Sequence, residues 1–317
     1  MNRRSALGGL ALAGSTSLAI RQAWPYRMPD RRKARSRVAV LRCGDYASCP
    51  SVIEDGLRLI QPEVRNKRVV LKPNLVEYSP TAAINTHPMV IAGAIEALYK
   101  LGAARVTVAE GPGHVRDTQM LIEECGLAAQ LKAVGRSRFV DLNFDDVSRV
   151  PLRTGLTSLG ELWLPNTILD ADVLISMPKI KTHHWAGVTL SLKNLFGVVP
   201  GGVYGWPKNI LHWQGIDNSI AELAAAVPIH YVIADGIVAM EGNGPLHGKT
   251  KNLGCLVFAD DPIAADATCC DLMKRSPGTV PHLRLSQPMG NYDPRHVDQV
   301  GELVSPLAVH FEQIVVR

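Results

Sequence analysis

The chain has 317 residues, enough for one large α/β domain or two closely joined ones. Its 46% hydrophobic and 20% charged residues are ordinary for a globular fold and exclude a disordered or fibrous chain. The net charge of +5 belongs to the first 37 residues, which hold nine of the 34 Lys/Arg and one of the 29 Asp/Glu; the mildly acidic remainder offers no footprint for nucleic acid.

Residues 1–23, MNRRSALGGLALAGSTSLAIRQA, set Arg3 and Arg4 ahead of a weakly hydrophobic run over 6–20 that is rich in Gly, Ala and Ser. This is the pattern of a twin-arginine export signal, although Ala6 sits where an aromatic is usual. It predicts an exported protein, periplasmic or extracytoplasmic, with the twin-arginine machinery as a partner. The basic stretch 24–37 reads as a solvated linker, which leaves 38–317 as a single α/β domain. Beyond the first twenty residues no stretch is long and apolar enough to span a membrane.

Runs rich in β-branched residues at 37–41, 67–74, 105–111, 138–143, 171–179, 230–236 and 254–261 read as strands, with 161–165 an added strand near the sheet edge. Helical spacing marks 50–60, 87–103 with a stop at Gly102, 116–127, 218–228 and 262–275. The alternation predicts a mostly parallel, Rossmann-like sheet with helices on both faces. Six cysteines show no C-x-x-C pair and no iron–sulfur or zinc spacing. Cys43 and Cys49 are near enough for a local disulfide after export; buried free thiols are the alternative.

Several apolar strands end on polar residues: Lys72-Pro73-Asn74, Glu110-Gly111, Lys179, Asp235-Gly236 and Asp260-Asp261. In a parallel sheet such ends share one edge, where open α/β sheets bind ligands. Polar residues also begin ordinary loops, but Lys and Lys-Pro-Asn are not the usual turn formers. The stretch 181–202, KTHHWAGVTLSLKNLFGVVPGG, adds His183, His184, Lys193 and Asn194 to an otherwise apolar run. Its middle reads as about two helical turns or an extended loop. Either form returns His183 and Lys193 to a pocket shared with Lys179 and Lys181.

Converging cations bind a small anionic ligand, and a desolvated lysine has a lowered pKa suited to base or covalent chemistry. A solvated basic loop is the alternative. For a metal, adjacent histidines rarely face one ion; His183 with His212 and a carboxylate such as Asp217 or Glu241 would suit zinc, nickel or iron. In 234–248, ADGIVAMEGNGPLHG, the glycines allow backbone to approach an anion. Glu241 there is a candidate acid/base, or the partner of a lysine. EGPGHVRD (110–117) lacks the full dinucleotide fingerprint, and neither a Walker motif nor G-x-S-x-G occurs.

Together LKPN…THP, GAARVTVAEGP, LISMPKIKTH, LSLKNLFG, IADGIVAMEGNGP and DDPIAADA resemble the family known as domain of unknown function 362, over most of the chain after residue 37. The resemblance implies an α/β fold and leaves the activity open. Some relatives carry a ferredoxin-type cysteine module, which this sequence lacks. More distantly, HHWAGVTLSLKNLFGVVPGG is similar to a segment of the N-terminal domain of lactate-racemase-like proteins, where a lysine holds a nickel-pincer nucleotide and histidines act as metal ligand and acid/base. That resemblance implies Lys193 as the cofactor lysine, His183 as acid/base and His212 as a metal ligand. Ser191-Leu192 stands where Gly-Gly precedes the lysine, and the chain is shorter.

Two functions follow. One is a cofactor-dependent isomerase or oxidoreductase that moves a proton or hydride, with His183, Lys193 and Glu241 at the chemistry. Lys72, Asn74, Glu110, Lys179, Lys181, Asn194 and Asp235 would then hold the ligand. The other is a non-catalytic binding protein for an anionic metabolite or cofactor. A structural exported domain without a small-molecule site is a weaker third.

Overall fold

The computed structural model describes residues 28–114 and 117–312. The export signal predicted for 1–23 lies outside them. Twelve strands form among the described residues, in two sheets. They are β1 (Ser36–Arg42), β2 (Arg68–Pro73), β3 (Arg105–Glu110), β4 (Arg138–Asp141), β5 (Val147–Pro151), β6 (Glu161–Pro165), β7 (Val173–Met177), β8 (Lys179–His183), β9 (Gly187–Thr189), β10 (Tyr231–Asn243), β11 (His247–Ala259) and β12 (Val297–Gly301). The large sheet runs β12-β1-β11-β10-β7-β2-β3-β4. Its pairings are parallel except β1–β11, β10–β11 and β8–β9.

Both faces of the sheet are apolar, as strand alternation requires when each face is covered. Ala39, Val69, Leu71, Val173 and Ile175 meet Ile53 and Leu57 of helix Cys49–Ile60 and Ile91 and Ile95 of helix Pro88–Lys100. Their neighbours Val38, Val40, Val70 and Leu174 point the other way, toward Ile220 and Leu223 of helix Ile216–Ala226 and Ile263 of helix Pro262–Leu272. Three of these helices start with proline in the first turn, where its missing N–H costs nothing. His87 Nδ1 accepts from Met89 N (3.2 Å), and Asp261 Oδ1 accepts from Ile263 N (2.8 Å), which caps two of the starts. Gly102, at φ +91°, ends the second helix as its sequence position predicts.

Four expectations are corrected. Residues 161–165 form β6, but β6 pairs antiparallel with β5 in a separate two-stranded sheet, because the short link from β4 is no crossover. In the segment 254–261, residues 254–259 are the end of β11, which returns from β10 through a tight turn and therefore runs antiparallel. Asp260-Asp261 thus lies at the opposite edge from the other strand ends, and Asp261 serves as a helix cap.

Lys179 begins a strand instead of ending one: Pro178 interrupts β7, and β8 continues along the flank of β10. Asp235-Gly236 is likewise mid-strand, at a bulge in β10, with the strand running on to Asn243. The basic residues before β1 are exposed but docked. Arg31 donates to the carbonyls of Ala224 and Ala225, and Lys33 pairs with Asp260 at 3.0 Å. Cys43 and Cys49 are both free thiols, as are the other four cysteines. No described helix is long and apolar enough to cross a membrane.

Candidate active site

β8 is fully buried, although it reads Lys-Ile-Lys-Thr-His. Period-2 alternation puts Ile180 in the apolar core and Lys179, Lys181 and His183 on the other face. The chain turns back after His183 because that side chain caps its own turn. Its Nδ1 accepts from the backbone N–H of Trp185 (3.1 Å) and Ala186 (3.2 Å), and Gly187 supplies φ +79° at the first residue of β9. β9 leads into a short helix, Ser191–Asn194, followed by a 3₁₀ turn, Leu195–Val198. Asp266 on the Pro262–Leu272 helix anchors that start, accepting from Ser191 N (2.7 Å) and Leu192 N (3.0 Å).

These pieces surround a cavity of about 630 Å³. Of the residues predicted from sequence, Asn74, Glu110, Lys181, His183, Lys193, Asn194 and His212 line it. Below its floor is a satisfied ion-pair frame. Buried Lys72 lies 2.8 Å from Glu110 and donates to Asn194 Oδ1 at 3.2 Å, so it supports the cavity from beneath. Glu110 also accepts from Leu75 N (3.1 Å) and Gly111 N (2.9 Å). Asn194 ties the strands together by donating to Lys72 O (3.0 Å) and Ser176 Oγ (3.1 Å). Gly197 is required above this frame, since a Cβ there would sit 1.8 Å from Glu110 Oε1 and 2.5 Å from Lys72 Nζ.

Besides Lys72, three predicted residues stand outside the lining. Lys179 and Asp235 form a buried pair at 2.8 Å, closed by Tyr46, whose hydroxyl is 2.9 Å from Lys179 Nζ, and by the His87 N–H on Asp235 (3.0 Å). Glu241 is taken by Lys251 (3.1 Å) and by the backbone N–H of Glu312 (3.0 Å) on the far arm of the β10–β11 hairpin. It is therefore not placed for acid/base work in the cavity. Asp217, the other carboxylate considered for a metal, pairs with His282 at 2.9 Å. Among the described residues no three His, Cys, Asp or Glu side chains converge on a point that could hold a metal ion. His212 lines the cavity without the carboxylate partners expected for it.

The electrostatics are lopsided. Lys181, Lys193 and Lys208 line the cavity against one carboxylate, Glu110, which is already paired with Lys72. Burial, then the Lys72 charge, lowers Lys193 to about 7. Burial lowers Lys208 to about 7 as well, and it holds Lys181 well below the ordinary lysine value, with the charges of Lys193 and Lys179 adding to the effect. Burial and the Lys193 charge hold His183 far below the ordinary histidine value.

Lys181 donates to Ile84 O (2.7 Å), and Lys208 to Gly111 O (2.6 Å) and Phe196 O (3.1 Å). Lys193 differs. Its ammonium lies 3.8 Å from the Phe196 ring centroid, and among the described residues no oxygen accepts from it. Asn74 Oδ1, Thr189 Oγ1 and His212 Nδ1 are also buried in the lining without partners. Buried polar atoms are rarely left so; unmet groups gathered on one cavity mark a place for a ligand.

Sequence reasoning missed Lys208, His114, Thr189 and His247, and it set His184 aside. Lys208 sits in an irregular loop at φ +67°, where no periodicity points inward. Its one signal is a lysine in a Gly- and Trp-rich turn soon after Lys193.

The chain is 29% identical over 230 residues to the thylakoid-associated protein sll1697 of Synechocystis sp., covering 70% of this chain and 68% of that protein. Among solved structures it is similar to the lactate racemase apoprotein of Thermoanaerobacterium thermosaccharolyticum at 15% identity and TM-score 0.46, over 78% of this chain and 59% of that one. It is also similar to a Thermotoga maritima protein at 13% identity and TM-score 0.36, over 68% of this chain and 52% of that one. The chain thus spans less than two thirds of either solved protein. The model of the family described as domain of unknown function (DUF362) matches residues 69–271, which carry β2 through most of the Pro262–Leu272 helix and all of the cavity lining, and the chain belongs to that family.

Proposed function

We propose that the protein is an exported enzyme that binds a small organic anion in this cavity and moves a proton on it. The observation that carries the reading is the lysine excess over a single, already paired carboxylate, with the Lys193 ammonium unmet by any acceptor among the described residues. An anionic group resting on Lys193 would complete the charge balance and give the orphaned Thr189 hydroxyl an acceptor, while Asn74 Oδ1, which only accepts, would take a hydroxyl of the same ligand. Lys181 and Lys208, tethered to carbonyls, supply fixed positive potential around it. The paired Arg3-Arg4 and the run after it support export.

The cavity also has room and donors for a nucleotide-type cofactor of the kind the lactate-racemase-like resemblance implies. Lys193, with a free amine lowered to about 7, is the residue that would hold it, and His212, with Nδ1 unpartnered, is the histidine that would face its metal. Such a group would supply a hydride acceptor.

Calorimetric titration of wild type and Lys193→Ala with sulfate and malonate tests the anion site. Binding in wild type that is lost in the variant is expected; equal binding, or none in either, overturns it. Deuterium wash-in from D₂O into a panel of 2-hydroxy and 2-oxo acids tests proton transfer. Binding without wash-in leaves a carrier or sensor of the anion in place of an enzyme.

A further inference from the structure

The two adjacent histidines at the tip of the β8–β9 hairpin are held in opposite tautomers. His183 Nδ1 accepts from the N–H groups of Trp185 (3.1 Å) and Ala186 (3.2 Å). A backbone N–H only donates, so this nitrogen carries no proton and the neutral ring carries its proton on Nε2. His184 is the converse. Its Nδ1 lies 2.7 Å from the Gly244 carbonyl oxygen, which only accepts. Nδ1 therefore holds the proton, and Nε2 of the neutral ring is bare. The rings stack at 5.0 Å and 22°, and both line the cavity. Among the described residues neither Nε2 has a hydrogen-bond partner.

We infer that His184, and not His183, is the proton-accepting residue of this cavity, with His183 as its fixed N–H donor. The inference rests on the proposed anion site. A proton leaving a heteroatom of the bound ligand passes to His184 Nε2, and the resulting imidazolium keeps its Nδ1–H on the Gly244 carbonyl. No ring has to turn. His183 has no place for that proton: Nε2 is already protonated, and Nδ1 faces two N–H groups. The pair therefore fits a hydroxyl or a water, which donates to His184 and accepts from His183. A carboxylate oxygen, which accepts only, would meet the His184 lone pair and belongs instead against Lys193.

Long-range ¹H–¹⁵N spectra of ¹⁵N-histidine-labelled protein without ligand read the tautomers, with His183→Gln and His184→Gln giving the assignment. The ring lost in His184→Gln should be protonated at Nδ1 and bare at Nε2, and the ring lost in His183→Gln the reverse. Either ring in the other tautomer overturns the inference. Diethylpyrocarbonate, which acylates bare ring nitrogens, is a second readout on wild type that needs no variant to fold. Peptide mass spectra should show His184 labelled and His183 spared; labelling of His183 in preference overturns the inference. Both readouts are made on ligand-free protein, so a failure of sulfate and malonate to bind would sink the anion site while leaving the tautomers as measured.

Discussion

Lys193 and Lys208 have amines lowered to about the same value by burial, yet replacing each with methionine should affect stability differently. For Lys193, which is half-buried, the drop from 10.5 to about 7, at about 1.4 kcal/mol per pH unit, sets a ceiling near 5 kcal/mol on what the amine costs the ligand-free fold. Water in the cavity screens part of this, and the Phe196 ring offsets about 1 kcal/mol. Lys193→Met should then stabilise the protein by about 1–3 kcal/mol at pH 7. Lys208 carries the same burial cost, but it satisfies the carbonyls of Gly111 and Phe196. Lys208→Met would strand the buried Gly111 carbonyl, at about 1–3 kcal/mol, and leave Phe196 O with only the longer bond from Val199 N (3.3 Å), so it should bring no such gain.

The pH sign follows from linkage. The folded lysine binds fewer protons than the unfolded one between about pH 7 and 10.5, so the cost is fully present below pH 7 and fades as pH rises through that window. Urea unfolding of wild type and both variants at pH 7 and 9.5 reads the difference, provided the m-values agree. The Lys193→Met advantage should shrink at the higher pH. Destabilisation by Lys193→Met, or equal effects of the two variants, would refute the distinction between a tethered and an unmet lysine.

Sulfate does not titrate in the relevant range, so its affinity should report the lysines alone. It should bind about tenfold or more tightly at pH 6 than at pH 8.5, because deprotonation near 7 removes the positive charge; a flat calorimetric profile would contradict this. Glu110→Gln strips the buried Lys72 of its counter-ion and should cost about 3–5 kcal/mol in urea unfolding. Asp266→Ala releases the Ser191 and Leu192 N–H groups, at about 2–3 kcal/mol, and should also weaken sulfate binding by loosening the turn that carries Lys193.

Strand and helix positions were readable because both faces of the sheet are covered and each run is bounded by Gly, Pro or a capping residue. Strand direction was not readable from periodicity. Direction depends on the length of the connection, and the tight turn between β10 and β11 reverses the strand that delivers Asp260-Asp261. The site was legible where chemistry and order coincide. Lys72, Glu110, Lys181, His183, Lys193 and Asn194 do gather on one edge. What the residue types could not show was the division of labour among them. Lys72 and Lys179 each meet a carboxylate at 2.8 Å and serve the structure. Glu241 looked like an acid/base candidate, but the antiparallel partner strand puts Lys251 against it.

That division bears on how the cavity works. A buried charge that is fully paired is fixed by its partner and has little left to offer a ligand. The frame made by Lys72, Glu110 and Asn194 is of this kind, and its polar atoms are met within the protein. Lining the same cavity are an ammonium without an acceptor among the described residues, an amide oxygen without a donor among them, and two imidazoles that present complementary nitrogens. The satisfied layer holds the unsatisfied one in place at a cost to the ligand-free fold, and binding recovers that cost only for a molecule that brings a negative charge to Lys193 and a hydroxyl or water to His184. Selectivity would then come from the unmet groups, and the ion pairs below would change affinity only by shifting them.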